Sequence, residues 1–127
     1  MNGVRLFRVM LEVDDLERAR EFYGRLFGER PRPVGGGRLY LDCGGVILGI
    51  LNTGRGAPQD LYFEVDDLEE FYARASALGA LSGVEVHGEP GGAIVERPWG
   101  ERSFYCEDPW RNGLCFVQSG TLFTGER

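Results

Sequence analysis

The stretch Glu12-Val13-Asp14-Asp15-Leu16-Glu17 decides the fold, because it occurs a second time as Glu64-Val65-Asp66-Asp67-Leu68-Glu69. The second copy starts 52 residues after the first in a chain of 127 residues. A short apolar run precedes each copy, and a helical pattern that closes near a glycine, Gly28 or Gly79, follows it. A repeat of this length predicts two similar halves built from one supersecondary unit, since a solenoid needs at least three units.

The repeated phrase predicts the end of a strand and the start of a helix. Before it, apolar and polar residues alternate from residue 6 to residue 13, as in a strand with one buried face. Asp14 is expected to cap the first helix with Glu17 as its capping-box partner, and Asp66 with Glu69 is expected to do the same in the second half. The apolar residues that follow recur at helical spacing: Leu16, Ala19, Phe22, Tyr23 and Leu26, then Leu68, Phe71, Tyr72, Ala75 and Leu78.

Strand-like runs fill the remainder of each half. The first half continues with a poor edge strand and loop at 29–37, then with Arg38–Cys43 and Val46–Asn52 joined at Gly44-Gly45, a good hairpin turn. The second half starts again at Gln59–Val65, and its later strands are predicted at Gly83–Glu89, within Ala93–Arg97, at Arg102–Glu107 and at Gly113–Gln118. The pattern predicts an α+β chain that is a single domain of two βαβββ modules, about residues 4–54 and 58–119. Residues 120–127 are expected to form a mobile tail.

Each helix must bury its apolar stripe on one sheet face. The opposite faces are then expected to curl into a concave cup, a cupped mixed sheet. Alternation along the strands assigns these residues to the cup: Arg8, Met10 and Glu12; Ile47, Gly49 and Leu51; Asp60, Tyr62 and Glu64; Gly113, Cys115 and Val117.

Composition excludes several classes of function. The net charge is −6, and 14 dispersed basic residues face 20 acidic ones, which argues against a nucleic-acid partner. No apolar run reaches the length of a membrane span, and the start has no secretory signal, so a cytoplasmic location is expected. Three widely spaced cysteines predict buried thiols and no disulfide framework.

The motifs resemble those of the vicinal oxygen chelate superfamily, which includes glyoxalases, bleomycin-resistance proteins and extradiol dioxygenases. The similar stretches are the two Val-Asp-Asp-Leu phrases, Phe22-Tyr23 with Gly28, Trp99 to Tyr105, and the turn from Asp108 to Leu114, in which Arg111 replaces the usual Gly. The resemblance implies two βαβββ modules, a homodimer and, in the enzymes, a divalent metal held in the cup by His, Gln or Glu.

The ligand positions implied by the resemblance fall on residues that suit a metal poorly. They are Arg8, a position near Gly49, Asp60 and Cys115, and neither an arginine nor a glycine supplies a metal ligand. The single histidine, His87, aligns with no ligand position and is expected on a surface strand. We therefore expect no metal and no cofactor, and an ion pair of Arg8 with Asp60 near the place that the metal would occupy.

The leading hypothesis is a metal-free protein that binds a small molecule in its cup. The expected ligand-binding residues are Arg8, Met10, Asp60, Tyr62, Trp99 and Cys115, and no catalytic residue is assigned. An acidic body of this kind suits a cationic ligand. Two alternatives stay open: a metal-dependent lyase, isomerase or dioxygenase with an atypical site, and an interaction module whose cup is filled by its own side chains.

Overall fold

The computed structural model describes residues 2–54 and 56–125. Contacts divide the chain into two compact units, with the division between Pro58 and Gln59. Each unit contains one copy of the repeated phrase and one helix. No helix among the described residues is long and apolar enough to cross a membrane.

The first unit is one βαβββ module. Its elements are β1 (Arg8–Val13), α1 (Leu16–Phe27), β2 (Arg32–Gly35), β3 (Arg38–Cys43) and β4 (Val46–Asn52). The four strands form one mixed sheet in the order β1-β4-β3-β2, in which β1 pairs with β4 in parallel and the other pairs are antiparallel. The predicted hairpin of β3 and β4 is confirmed, and both strands begin and end at the predicted residues.

The second unit repeats this order and adds a small hairpin. Its elements are β5 (Asp60–Val65), α2 (Leu68–Ala77), β6 (Glu85–Val86), β7 (Glu89–Pro90), β8 (Val95–Glu96), β9 (Arg102–Glu107) and β10 (Gly113–Gln118). The main sheet has the order β5-β10-β9-β8, and β5 pairs with β10 in parallel. The predicted α+β chain with two βαβββ modules is thus confirmed.

The apolar stripes of both helices lie on their own sheets. In the first unit Ala19, Tyr23 and Leu26 are fully buried, as are Leu11 and Val13 of β1. In the second unit the rings of Phe71, Phe116 and Phe104 stack in a row, with centroids 5.1 and 5.5 Å apart. Full burial of a Leu or Phe side chain contributes roughly 1.5–3 kcal/mol, so these contacts are the main stabilisation of each module.

The predicted strand Gly83–Glu89 is wrong, because the chain turns back at His87-Gly88. Both residues have positive φ, 51° and 80°. Two such residues in succession form the two-residue turn that suits a hairpin, and β6 pairs with β7 across it. His87 therefore lies in this turn and not on a strand.

The predicted helix caps are each wrong by one residue. Asp15, not Asp14, caps α1 and accepts a hydrogen bond from the backbone N–H of Arg18 at 3.0 Å. Asp67, not Asp66, caps α2 in the same way. In the first unit the Val13 carbonyl still accepts from Thr53 N at 3.1 Å, so the strand is held in the sheet up to that point and the helix begins later.

The structure describes the predicted tail up to residue 125 and shows hydrogen bonds from it to the second unit. After Gly120 turns the chain with φ 87°, the hydroxyl of Thr121 accepts a hydrogen bond from the backbone N–H of Arg102. The N–H of Phe123 donates to a carboxylate oxygen of Glu101 at 2.8 Å. Residues 119–125 are therefore fastened to the start of β9 by hydrogen bonds.

We expect Asp15→Ala to lower the free energy of unfolding by about 1 kcal/mol, because the Arg18 N–H loses its acceptor. Asp15→Asn keeps an acceptor of equal capping strength and is the matched control, with a loss well below that of Ala. Urea unfolding followed by circular dichroism measures both. Equal losses in the two variants would show that the charge, rather than the cap, stabilises α1.

Candidate functional site

In the first unit, the predicted cup face is filled around Gly49. Met10 on β1 lies beside Gly49 on β4 in the parallel register. A Cβ atom at Gly49 would overlap the Met10 sulfur and lie 2.8 Å from its methyl carbon. The Met10 thioether thus occupies the space that a side chain at position 49 would need.

Arg8 lies two residues before Met10 on β1, on the same face of the strand, and its guanidinium contacts aromatic rings. Its guanidinium carbon is 5.0 Å from the centroid of Phe7 and 5.5 Å from that of Tyr40. Contacts of this kind stabilise a cation at an exposed site by roughly 0.5–1 kcal/mol. The expected ion pair with Asp60, which belongs to the other unit, stays a prediction.

In the second unit, the parallel register places Asp60 beside Gly113 and Tyr62 beside Cys115. A Cβ at Gly113 would overlap a carboxylate oxygen of Asp60, so the carboxylate lies over the backbone of β10. Within each unit the register brings together the same residues that strand alternation assigns to one face.

Cys115 is buried and unreactive in character. Burial raises the pKa of its thiol from 9.0 to about 11, against the opposing effect of hydrogen bonds from Ser103 and Tyr105. Desolvation disfavours the thiolate, which is the nucleophilic and metal-binding form. Cys115 is therefore a buried packing residue beside Tyr62, and its thiol stays protonated at neutral pH.

Two tyrosines lie next to this thiol. The rings of Tyr62 and Tyr105 meet edge to face with centroids 6.3 Å apart. Partial burial raises the pKa of both phenols, and a hydrogen bond between them lowers that of Tyr62 while raising that of Tyr105. Tyr62 is nevertheless 63% exposed, so its ring is available to a ligand.

A cavity of about 480 Å³ opens beside Tyr62 within the second unit. We call it the aromatic cavity. Its volume falls in the range of small-molecule sites. It is lined by Tyr62, Phe63, Glu64, Trp99, Glu101, Val117, Leu122, Phe123 and Thr124.

Glu101 connects the walls of the aromatic cavity. One carboxylate oxygen accepts from the indole N–H of Trp99 at 2.8 Å, and the other accepts from Phe123 N. The imidazole of His87 meets the Trp99 ring edge to face with centroids 5.1 Å apart. Trp99 is thereby held between the β6–β7 turn and the residues that follow β10.

Arg97 is a buried cation that the sequence pattern did not indicate. It is 2% exposed and donates to the hydroxyl and carbonyl of Ser103 and to the carbonyls of Gly91 and Ala93. Its guanidinium carbon lies 5.1 Å from the Tyr105 centroid. These bonds join the loop after β7 to β9, which is a structural task.

The side chains at the implied metal positions do not fit a metal site. In the first unit Arg8 and Gly49 supply no metal-ligating atom, and the thioether of Met10 occupies the space over Gly49. In the second unit Cys115 is held as a neutral thiol, which leaves the Asp60 carboxylate. Within residues 2–54 and 56–125, no three His, Cys, Asp or Glu side chains form a group able to hold a metal ion. Catalytic zinc sites, by comparison, use three protein ligands.

Two of the expected ligand residues, Tyr62 and Trp99, line the aromatic cavity together. Met10, Asp60 and Cys115 lie on the expected strand faces but do not line it. The sequence pattern missed Glu101, which accepts from the Trp99 indole, and Phe123, whose backbone N–H donates to Glu101. Phe123 reaches Glu101 because the chain turns at Gly120. The alternation of apolar and polar residues along a strand does not predict this turn.

A family model described as the Glyoxalase/Bleomycin resistance protein/Dioxygenase superfamily matches residues 5–116. Among solved structures, the Oxidase ChaP-H1 has a TM-score of 0.78 at 23% identity, covering 98% of this chain and 100% of that chain. A lactoylglutathione lyase from Agrobacterium tumefaciens has a TM-score of 0.73 at 22% identity, covering 98% and 99%.

A bleomycin-binding protein complexed with bleomycin has a TM-score of 0.70 at 21% identity, covering 92% of this chain and 99% of that chain. At these identities the similarity shows a shared fold, built from the same βαβββ modules. No curated protein matches the chain in sequence.

We expect Gly49→Ala to lower the free energy of unfolding by about 1 kcal/mol. This is the low end of the cost of inserting an atom into a packed site, because the end of the Met10 side chain can move away. Met10→Ala opens the same space. The variant with both changes is therefore expected to lose at least about 0.5 kcal/mol less than the sum of the single losses. Urea unfolding of all four chains measures this coupling, and strict additivity would contradict the overlap.

Stability is expected to fall as pH rises from 9 towards 11. The buried thiols of Cys115 and Cys106 have pKa values raised from 9.0 to about 11 and about 12. In this range the unfolded chain releases thiol protons that the folded chain retains, so rising pH favours unfolding.

Urea unfolding at several pH values measures this decline. A chain with both Cys106→Ala and Cys115→Ala is less stable throughout but should show a shallower pH dependence. An unchanged slope in that variant would show that other groups cause the alkaline loss.

Proposed function

The chain belongs to the Glyoxalase/Bleomycin resistance protein/Dioxygenase superfamily, and from that premise we propose that it is a metal-free member that binds a small molecule. The aromatic cavity is the observation that carries this proposal. It combines aromatic side chains, aliphatic side chains and two carboxylates in a volume of about 480 Å³, which is the composition typical of small-molecule sites.

The chemistry at the implied metal positions supports the metal-free part of the proposal. Arg8 and Gly49 cannot replace the imidazole or carboxylate ligands that metals prefer. Met10, whose thioether is a soft ligand, packs against Gly49 as an apolar filler. The proposed mechanism is burial of the ligand against aromatic and apolar side chains, and it assigns no catalytic residue.

We further propose Arg8 and Met10 of the first unit, and Asp60 and Cys115 of the second, as ligand-binding residues. Their strand register supports this assignment within each unit, since Arg8 and Met10 share one face and Asp60 shares one with Tyr62 and Cys115. In the proposal, the Asp60 carboxylate orients a polar group of the ligand, and the buried Cys115 thiol lies close to the Tyr62 phenol.

A homodimer and a cytoplasmic location are further parts of the proposal. Exposed apolar side chains at Val4, Leu6 and Phe7, which are 77%, 63% and 55% exposed, support a dimer contact near the N-terminus. Three free thiols support a reducing compartment. Light scattering after gel filtration tests the dimer, and Phe7→Ser should weaken it.

Trp99 offers a direct test of ligand binding. In Trp110→Phe, Trp99 is the one remaining tryptophan of the two in the chain. We expect a library of metabolites to contain compounds that raise the melting temperature and shift the Trp99 emission together, because a ligand of the native state stabilises it. Trp99→Phe with Trp110 retained should lose the emission change and show a smaller thermal shift, because the cavity loses one of its aromatic walls.

The same screen includes divalent metal ions, followed by elemental analysis of the purified protein. A stoichiometric metal that raises the melting temperature would overturn the metal-free proposal and favour the metal-dependent lyase, isomerase or dioxygenase. A library without any stabilising compound would favour the interaction module instead.

A further inference from the structure

We propose that the aromatic cavity selects an organic cation, namely a protonated or quaternary amine. This inference rests on the proposed ligand-binding function and names the class of ligand. It follows from the rings, the carboxylates and the net charge around one cavity.

Aromatic rings form the first part of the argument. Tyr62, Trp99 and Phe123 all line the cavity, and Tyr62 and Phe123 remain more than half exposed. The face of an aromatic ring is negative, and it attracts a cation, with Trp the most favourable partner. An alkylammonium group can contact such rings through its methyl groups, whereas an anion would meet the negative ring faces.

Carboxylates form the second part. Glu64 and Glu101 line the cavity, and no arginine, lysine or histidine occurs among its described lining residues. Glu101 accepts from Trp99 Nε1 and Phe123 N, which are neutral donors. These bonds hold the carboxylate at the cavity wall without adding a positive charge, so its charge stays available to a ligand.

Arg97 is a buried cation near the tyrosines that could oppose this selection. It is buried behind Tyr105, directs four hydrogen bonds to Ser103, Gly91 and Ala93, and does not line the cavity. The Tyr105 ring lies next to its guanidinium, and the ring of Tyr62 lies on Tyr105. The chain of contacts from the Arg97 guanidinium to the cavity therefore runs through the rings of Tyr105 and Tyr62.

The charge of the whole chain acts in the same direction. A net charge of −6 attracts cations over distances beyond direct contact and repels anions. Local and long-range electrostatics thus favour the same sign of ligand.

Three probes of nearly equal shape test the inference in the Trp110→Phe chain: choline, its neutral isostere 3,3-dimethylbutan-1-ol, and 3,3-dimethylbutanoate. Titrations at constant ionic strength follow the emission of Trp99. We expect choline to bind at least about fivefold more tightly than the neutral alcohol, since a desolvated cation adds this much on aromatic faces. The anion should bind more weakly than either.

A second test of the inference removes the negative charge of the carboxylates that line the cavity. Glu64→Gln should weaken choline binding about threefold or more and leave the alcohol unchanged, because it removes one charge near the cation. Glu101→Gln should weaken choline binding more than alcohol binding, but it also removes one of the two acceptors that hold Trp99 and Phe123. Glu107→Gln, the same change at the far end of β9, is the matched control and should alter neither. Glu64→Gln alone decides the result if Glu101→Gln unfolds.

Tighter or equal binding of the alcohol or the anion would overturn the cation inference while leaving small-molecule binding intact. Choline binding that is indifferent to Glu64→Gln would overturn it too, as would a cavity that binds none of the three probes. Failure of the wider metabolite screen, by contrast, counts against the proposed function itself.

Discussion

In each unit the first strand pairs in parallel with the last, and the remaining structure depends on this pairing. Parallel neighbours require a long crossover connection, which one helix and two antiparallel strands provide. The pairing also sets the surface of each module. It puts Met10 beside Gly49 in the first unit and Tyr62 beside Cys115 in the second.

The repeated acidic phrase serves this architecture rather than chemistry. Its valine ends a strand whose last carbonyl still bonds to the sheet, and its second aspartate caps the helix that crosses the sheet. Glu12 at its start is likewise engaged, since its carboxylate accepts from Ala57 N at 2.9 Å. The valine and the second aspartate thus do the same structural work in both copies, whereas Glu12 bonds to Ala57 and Glu64 lines the aromatic cavity.

The two modules share a topology and differ in what their faces offer. In the first, a thioether fills the space over a glycine, so that face is packed around its centre. In the second, the β6–β7 turn and residues 119–125 fasten Trp99 and Phe123 around an open cavity. The insertion and the folded-back C-terminal segment, which the first module lacks, create the site. One module of the repeat therefore carries an open cavity, while the corresponding face of the other is packed.

The sequence by itself determined the modules, the helix stripes and the strand faces, because alternation and helical periodicity are local consequences of burying one side of each element. It also indicated that two of the implied metal positions carry unsuitable side chains, since Arg and Gly supply no metal-ligating atom whatever the fold. Only the tertiary structure decided the helix start at Leu16, the turn at His87, the burial of Arg97 and the docking of Phe123 on Glu101. The helix start and the docking of Phe123 depend on hydrogen bonds between segments distant in the chain. The burial of Arg97 depends on bonds to loop and strand residues near it in the chain, and the turn at His87 depends on a positive φ at a residue other than glycine. None of these leaves a periodic trace in the sequence.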